Sequence, residues 1–469
     1  MIMNRGLKQV GTSMFLVFLS GSLWAQEKAP KLTVDLDKAI EIALSENPTI
    51  KVADMEITRK DYAKRETVGN LFPKIGASAD YSYALKKQVM YMDFDMSSFM
   101  PGGTEGTTTE MQGMDDGMEV GRDNTLTMGF NLQLPIIAPS LWKSVKLSKA
   151  DIEQSLESAR SSRLSLVNQV EKAYYSVLMA NDSYNVIKQS YDNAKLNAAN
   201  YENKYKQGSA SEYDVLRSQV QVRNLEPSLL QSENAVSLSK MQLKVLLGLE
   251  MSVDLDVANT LSDYEKTMYT ETLSIDTTLT NNTSLRQLDL QTDYLKRALE
   301  VQKMSWYPTL SATAMYNWLD MFNNGKYGDS HWNPYSTIGL SLSIPIFQGG
   351  TRYYKVKQAK VSVASMAYQR QNLHRNLSMQ VQSSIDNIQK SIKQIASNSE
   401  GVKQAEKAYM IMQKSFEIGS ATFVELNDAD LALTNSRLAY YQAIYDYLAA
   451  RSELDLILGN RIFPDSSVK

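Results

Sequence analysis

Gly208-Ser209-Ala210-Ser211 recurs further along the chain as Gly419-Ser420-Ala421-Thr422, at a spacing of 211 residues (419 − 208 = 211). A match at a fixed spacing indicates a duplicated structural unit. The residue types also predict local structure. Glycine adopts the positive φ that ends a helix, and Ser211 or Thr422 can cap the helix that follows. Each copy is therefore expected to contain a helical hairpin with this turn at its tip.

Prolines at matching positions border predicted strands. Phe72-Pro73 and Tyr307-Pro308, at a spacing of 235 (308 − 73 = 235), each precede an extended segment. Leu134-Pro135 and Ile344-Pro345 are predicted to border the return strands. The different spacings indicate that the first copy carries extra residues between its strands.

Both copies alternate apolar and polar residues in these segments, for example over residues 126–134 and 310–318. Period two is typical of a strand with one apolar face, and about ten residues suit a tilted bilayer crossing. A soluble hairpin with surface tyrosines would show the same pattern. Two matched hairpins favour membrane strands over that alternative.

Two proline-free stretches, residues 140–206 and 351–417, predict very long helices leading to the two turns. The helices after the turns carry apolar residues every seventh position. In the first copy these are Val215, Val222, Leu229, Val236 and Leu243, and in the second Leu426, Leu433, Tyr440, Tyr447 and Leu454. A strict seven-residue repeat predicts left-handed coiled coils.

Composition excludes several classes of function. The chain has no cysteine, two histidines and a formal net charge of −3. We therefore expect no disulfides, no thiolate metal site, no catalytic residues, no cofactor and no nucleic-acid partner. Residues 1–25 predict a cleaved signal peptide, with an uncleaved anchor as the alternative, and no other stretch predicts a membrane-spanning helix.

Four strands per chain cannot close a barrel, and lipid does not tolerate an open sheet edge. Eight strands from a dimer would form a barrel filled by side chains. Twelve strands from a trimer would leave a lumen. The sequence pattern therefore points to an oligomer.

The ordered set of motifs resembles the TolC-like outer-membrane efflux and secretion channels. The motifs are Leu36–Pro48, the Phe72-Pro73 and Leu134-Pro135 strand borders, and the turns Lys204–Leu216 and Ser415–Leu426. The resemblance implies a mainly α chain with a β-barrel part. Long helices form a coiled-coil barrel in the periplasm, and four strands per chain close as a twelve-stranded outer-membrane barrel in a homotrimer.

The resemblance also implies an organisation. Residues 26–281 would form the first repeat and residues 282–469 the second, with Glu250 to Asn282 and the termini in an equatorial belt. Expected partners are outer-membrane lipid, a periplasmic adaptor (membrane fusion) protein and an inner-membrane transporter. Family members have no catalytic activity.

By the same resemblance, the hairpin tips would dock the adaptor, although these residues could simply turn the chain. The candidate docking residues are Gly208, Ser209, Ser211, Asp214, Val215, Leu216, Gly419, Ser420, Thr422, Glu425 and Leu426.

Two features are weaker. The aspartate ring that often closes the periplasmic aperture in the family has no counterpart at Ile392–Asn398, so the nearest acids, Asp386 and Glu400, are weak candidates or plain solvated charges. The insert of the first copy is acidic and rich in methionine. It is expected to be either a mobile extracellular loop without a metal or a loop whose soft thioether sulfur binds Cu(I). Its candidate ligands are Met90, Met92, Met96, Met111, Met114 and Met118.

The leading hypothesis is a passive exit duct for efflux of small toxic compounds, located in the outer membrane with a long periplasmic portion. A type I protein-secretion exit duct is the alternative. A soluble periplasmic coiled-coil scaffold is the alternative from a different class.

Overall fold

The computed structural model describes residues 31–90, 118–271, 277–323 and 331–461. The predicted signal peptide and most of the methionine-rich insert lie outside these ranges. The helices are α1 Leu36–Glu46, α2 Pro48–Gly69, α3 Pro139–Lys206, α4 Glu212–Leu247, α5 Leu261–Glu271, α6 Thr283–Met304, α7 Thr351–Glu417 and α8 Phe423–Leu458. The strands are β1 Lys31–Val34, β2 Lys74–Tyr83, β3 Gln88–Met90, β4 Met118–Val120, β5 Asn124–Ile137, β6 Asp254–Val257, β7 Thr309–Phe322 and β8 Asn333–Ser343.

The first two helices are separated by a break at Asn47. The side chain of Asn47 accepts a hydrogen bond from the backbone N–H of Thr49 at 2.8 Å, and Pro48 occupies the first turn of α2. Proline is tolerated there because the first N–H groups of a helix have no intrahelical partner. The same Asn47 donates through Nδ2 to the carbonyl of Leu246 at 2.8 Å, which joins α2 to the end of α4.

The largest sheet is antiparallel with the strand order β2-β5-β7-β8. The extended segment predicted after Phe72-Pro73 is confirmed as β2, residues 74–83, whereas β5 and β7 are longer than the predicted ten or so residues, at 14 residues each. Pro135 was predicted to border its strand and instead lies inside β5, where the register shifts between Pro135 and Ile137. A bulge tolerates proline because it interrupts the ladder of backbone hydrogen bonds. Pro345 lies beyond the end of β8.

A short parallel ribbon was not predicted. β1 pairs with β6, with Lys31 opposite Asp254 and Val34 opposite Val257. Val34 ends strand β1, directly before the residue that caps α1. Four residues are too few to show a reliable period. The ribbon joins the N-terminal part of the described chain to the segment between the two copies.

Helix α3 lies at the centre of the helical part. In the half that leads to the turns it packs between α4 and α8, and α7 packs on α8. In the half nearer the sheet it packs between α2 and α6, and α6 also packs on α7. The largest buried side chains include Tyr174 and Leu178 of α3 and Ile444 and Tyr447 of α8. The core therefore lies where the two copies meet, beside the β1–β6 ribbon.

Candidate channel wall and docking tips

The register of the sheet separates an apolar face from a mainly polar face. Ile75, Leu132, Ala314 and Ile338 lie in one row across the four strands. The next row consists of Gly76, Asn131, Met315 and Thr337, on the opposite face. On β8 the apolar side chains are far from buried, since Ile338 is 88% exposed and Leu340 is 71% exposed. One face is suited to lipid and the other to water.

Both edges of this sheet lack a partner strand within the described residues. β2 pairs only with β5, and β8 pairs only with β7. Because the four strands alternate in direction, β8 of one subunit and β2 of a neighbouring subunit would meet antiparallel. The sheet has the geometry of a wall segment that identical neighbours can complete.

The helical layer is incomplete in the same way. Ala150 and Asn168 of α3 are 1% and 6% exposed. Their counterparts 211 positions later, Val361 and Met379 of α7, are 68% and 66% exposed. α3 has neighbours on both flanks, whereas α7 lies at the edge of the layer. The exposed apolar residues on α7 mark a flank that a second subunit could cover.

The first tip turn has the predicted glycine geometry. Gly208 has φ +73°, and its N–H donates to the carbonyl of Tyr205 at 2.8 Å. The N–H of Ser209 donates to the carbonyl of Lys204, also at 2.8 Å. This pair of bonds defines a Schellman motif, which satisfies carbonyl groups at the end of a helix. Gly419 and Ser420 make the same pair of bonds at the end of α7, with φ +80° at Gly419.

Capping boxes begin the helices that follow. The hydroxyl of Ser211 accepts from the backbone N–H of Asp214, whose carboxylate accepts from the N–H of Ser211. Thr422 and Glu425 make the equivalent bonds. Accepting the backbone N–H of Thr422, and then its hydroxyl, lowers the pKa of Glu425. The predicted tip residues are therefore joined locally, which accounts for the turn by itself.

Exposure divides the candidate docking residues. Val215 and Leu426 are 8% and 3% exposed and belong to the interiors of their hairpins. Leu216 is 54% exposed on the outer surface of α4. The remaining candidates are exposed, apart from Asp214, which is half-buried.

An aromatic cluster ties the two tips together and was missed by the sequence analysis. The ring of Tyr201 lies 5.9 Å from that of Phe416 and 5.5 Å from that of Phe423. The ammonium of Lys204 lies over the rings of Tyr201 and Phe416, at 5.9 and 5.4 Å from their centroids. Burial raises the pKa of Tyr201. The sequence feature that could have revealed this cluster is the presence of aromatic residues within a few positions of each turn.

Polar contacts also link the two hairpins further from the tips. Arg437 donates to Gln189 at 2.7 Å and to Glu406 at 2.8 Å. Asp430 accepts from Asn193 at 3.1 Å and from Ser190. These residues line a cavity of about 340 Å³ between α3, α7 and α8. These contacts fix α3 against α8.

Two carboxyl groups near the core have structural roles. Asp182 accepts from the backbone N–H of Leu261 at 3.1 Å, at the start of α5, and burial raises its pKa. Asp455, whose side chain is 52% exposed, accepts from the Nε–H of Arg451 at 3.4 Å, one helical turn away.

The weak candidates are not brought together. Asp386 accepts from Gln382 one turn earlier, and Glu400 pairs with Lys403 at 3.6 Å. Both are exposed, and a helical rise of 1.5 Å per residue separates them by about 20 Å. They have the contacts of solvated helix-face charges.

The β3–β4 ribbon contains two of the candidate methionine ligands. Met90 and Met118 lie opposite each other in the β3–β4 ribbon. Met92, Met96, Met111 and Met114 lie outside the described residues. Within the described ranges no group of three or more His, Cys, Asp or Glu side chains could hold a metal ion. In the same ranges, no helix combines the length and apolar character that crossing a membrane requires.

Comparison with known proteins identifies the family. The family described as outer membrane efflux protein matches residues 39–249 and 274–460. The chain belongs to the outer membrane efflux protein family.

Individual relatives extend this result. TolC of Escherichia coli (strain K12) is 30% identical over 187 residues, which is 38% of this chain and 38% of that protein. The alkaline protease secretion protein AprF of Pseudomonas aeruginosa is 23% identical over 342 residues, covering 70% of this chain and 68% of that one. The crystal structure of the Campylobacter jejuni CmeC outer membrane channel superposes with a TM-score of 0.67 at 18% identity, covering 90% of this chain and 85% of that one. The fold is therefore that of the efflux family channels.

Proposed function

We propose that this chain is one subunit of a passive exit duct in the outer membrane, and that three copies close a twelve-stranded barrel above a helical tunnel. The observation that carries the proposal is a two-faced sheet whose two edges have no partner strand among the described residues. This sheet continues into a helical layer in which α7 lies at an edge. Lipid requires the sheet edges to be completed, and identical copies can complete them. Twelve strands leave an aqueous lumen between polar faces.

The duct has no chemistry of its own and depends on partners. We propose that its tips dock a periplasmic adaptor, which connects it to an inner-membrane transporter for the efflux of small toxic compounds. Exposed tip residues such as Leu216 and Ser420 support this role, because helix-hairpin tips offer knobs and grooves for a facing coiled coil. We also propose that residues 1–25 are a cleaved signal peptide and that the two repeats comprise residues 26–281 and 282–469.

The test is the assembly and conductance of the purified mature protein. We expect a detergent-dependent trimer that forms long-lived pores in planar bilayers. A protein that stays monomeric and soluble without detergent would refute the proposal and favour a periplasmic scaffold.

The similarity to AprF supports a second candidate, an exit duct for protein secretion. A Leu216→Cys variant would be cross-linked in whole cells to capture the adaptor and its transporter. Recovery of a drug or metal pump supports efflux. Recovery of a protein-exporting ATPase supports secretion.

A further inference from the structure

The sheet-proximal ends of the two longest helices carry the same exposed pattern. In α3 it consists of Trp142, Lys146 and Lys149, and in α7 of Tyr353, Lys357 and Lys360. Each residue of the second set lies 211 positions after its counterpart (353 − 142 = 211). Residues three and four apart share one face of a helix, so each set forms a stripe. The two stripes, called here the collar stripes, have exposed lysines and aromatic rings that are 49% and 51% exposed.

The positive charge of the collar stripes is not neutralised by nearby acids. No carboxylate within the described ranges forms an ion pair with any of the four lysines, whereas Lys143, close by on α3, pairs with Glu300 at 3.6 Å. α3 has no acidic residue before Asp151, and α7 has none before Asp386. The ammonium of Lys357 lies 5.4 Å from the centroid of the Tyr353 ring. The stripes therefore present unpaired cations beside aromatic rings.

Register places both stripes just beyond the same end of the sheet. β5 ends at Ile137, directly before α3, and β8 ends at Ser343 shortly before α7. Leu310 of β7 lies opposite Ile137 on one side, and Thr309 lies opposite Ser343 on the other. The first lysine of each stripe follows the start of its helix by about 10 Å. That distance is comparable with the ~5–8 Å headgroup layer plus the flexible reach of a lysine stem.

Closing the three subunits into a ring would leave the collar stripes accessible. In this half of the molecule α3 already has α2 on one flank and α6 on the other, yet its stripe remains exposed. The stripe on α7 occupies the equivalent positions. A neighbouring subunit that covers α7 as α2 covers α3 would therefore leave that stripe open as well.

We propose that the collar stripes bind the anionic phosphate headgroups of phospholipids in the periplasm-facing leaflet. The proposal rests on the proposed function, because it requires the apolar face of the sheet to lie in the membrane. Exposed Trp and Tyr are enriched at membrane interfaces, and lysine binds phosphate as a point charge. Each lysine near an anionic surface strengthens binding by about fivefold. The ligand is phosphatidylglycerol or another anionic phospholipid, in preference to a zwitterionic one.

The experiment compares lipid retention by the full-length assembled protein. The collar variant carries Lys146→Gln, Lys149→Gln, Lys357→Gln and Lys360→Gln. The matched control carries Lys188→Gln, Lys195→Gln, Lys390→Gln and Lys393→Gln, which removes four exposed lysines from the same two helices further from the sheet. Native mass spectrometry with phosphatidylglycerol and phosphatidylethanolamine of identical acyl chains measures the preference.

The wild type and the control should retain phosphatidylglycerol in preference to phosphatidylethanolamine. In the collar variant the ratio of the two retained lipids should fall at least fivefold. Equal retention in all three proteins would overturn the inference.

Conductance of each protein in planar bilayers separates the two proposals. Pores without lipid preference refute only the collar stripes, whereas absence of assembly and pores refutes the exit duct. A collar variant with altered ion selectivity and unchanged lipid preference would place the lysines in the lumen and overturn the inference.

Discussion

The two long hairpins end in the same turn but bury their first helices to different depths. α3 and α7 both end in a Schellman motif with a glycine at positive φ, and both tips are followed by a capping box. Yet Ala150 of α3 is 1% exposed and its counterpart Val361 of α7 is 68% exposed. The turn depends on a few neighbouring residues and is therefore the same in both copies. Burial depends on which helices lie alongside, and that differs between the copies.

The tips also differ in how an equivalent aromatic residue is used. Phe416 packs against Tyr201, whereas Tyr205, at the matching position in the first copy (416 − 205 = 211), is 47% exposed. The first tip therefore presents apolar surface, and the second uses its aromatic residue to hold the hairpins together. This difference assigns distinct roles to two tips with similar sequences.

The largest expected effect comes from changing the shared turn. Gly208→Pro or Gly419→Pro should abolish export while leaving the barrel inserted. Proline cannot adopt φ of +73° or +80°, and it lacks the N–H that bonds to Tyr205 or Phe416. Growth of a complemented deletion strain on toxic substrates measures export, and outer-membrane fractionation measures insertion.

Gly401→Ala is the control for this experiment. Gly401 lies inside α7, and a Cβ added there would meet nothing within 4 Å beyond the backbone of its own helix. Alanine should therefore be neutral or stabilise the helix by up to about 1 kcal/mol. Unchanged resistance in both proline variants would contradict the role of the turns. Loss of resistance in only one of the two proline variants would show that the two tips are not equivalent.

The next effect concerns the uncovered flank of α7. Val361→Asp should destabilise association between copies by several kcal/mol, because a charge would be buried at a position that is covered in α3. The control is Leu196→Asp, since Leu196 and its counterpart Lys407 are both exposed. Heat-modifiable trimer on gels measures association. Equal trimer yields for the two variants would mean that no copy covers this flank.

A smaller effect separates the aromatic residues of the two tips. Phe416→Ala should destabilise the tips by about 1–3 kcal/mol, because Phe416 is partly buried against Tyr201 and Lys204. Tyr205→Ala should change stability by less than about 0.5 kcal/mol, as is usual at the surface. Hydrogen exchange of backbone amides around the two turns measures the difference. Equal exchange in the two variants would remove the distinction between the tips.

The smallest effect is a pH dependence of the second capping box. The pKa of Glu425 is lowered in the folded protein, so its contribution is fully present above its ordinary pKa and is lost as pH falls through the lowered value. Exchange at the amide of Thr422, corrected for intrinsic rates, should therefore accelerate in acid. Glu425→Gln should remove this dependence, because the amide oxygen still accepts but does not titrate.

Glu400→Gln provides the control for the capping box. Glu400 is an exposed acid on α7 whose ion pair with Lys403 does not involve the turn. This variant should keep the acid response at Thr422. The same acid response in Glu425→Gln would show that another group is responsible.

Much of the fold could be predicted because its signals are local. The break at Asn47 and Pro48, the strand over residues 74–83 and the helix ending at Lys206 follow from capping, alternation and a turn glycine. The capping boxes at Ser211 and Thr422 were also predictable from residue types at fixed spacing. The prediction for Pro135 was wrong because a bulge depends on the partner strand, which the local sequence does not reveal.

Other features of the candidate site depend on residues far apart in the chain. The cluster of Tyr201, Phe416 and Phe423 forms only when the two tips meet. The β1–β6 ribbon brings together segments separated by more than 200 residues. Neither has a periodic signal, because each is created by packing.

By itself, the sequence determined the duplication, the two turns and the alternation of the strands, because each depends on residues that are close together or repeat at a fixed spacing. Only the tertiary structure decided that α3 lies between neighbours while α7 lies at an edge, and that β2 and β8 each leave one sheet edge without a partner strand among the described residues. The physical reason is that burial and pairing are properties of what lies alongside a segment. Two copies with nearly the same pattern therefore acquire different surroundings once they pack together.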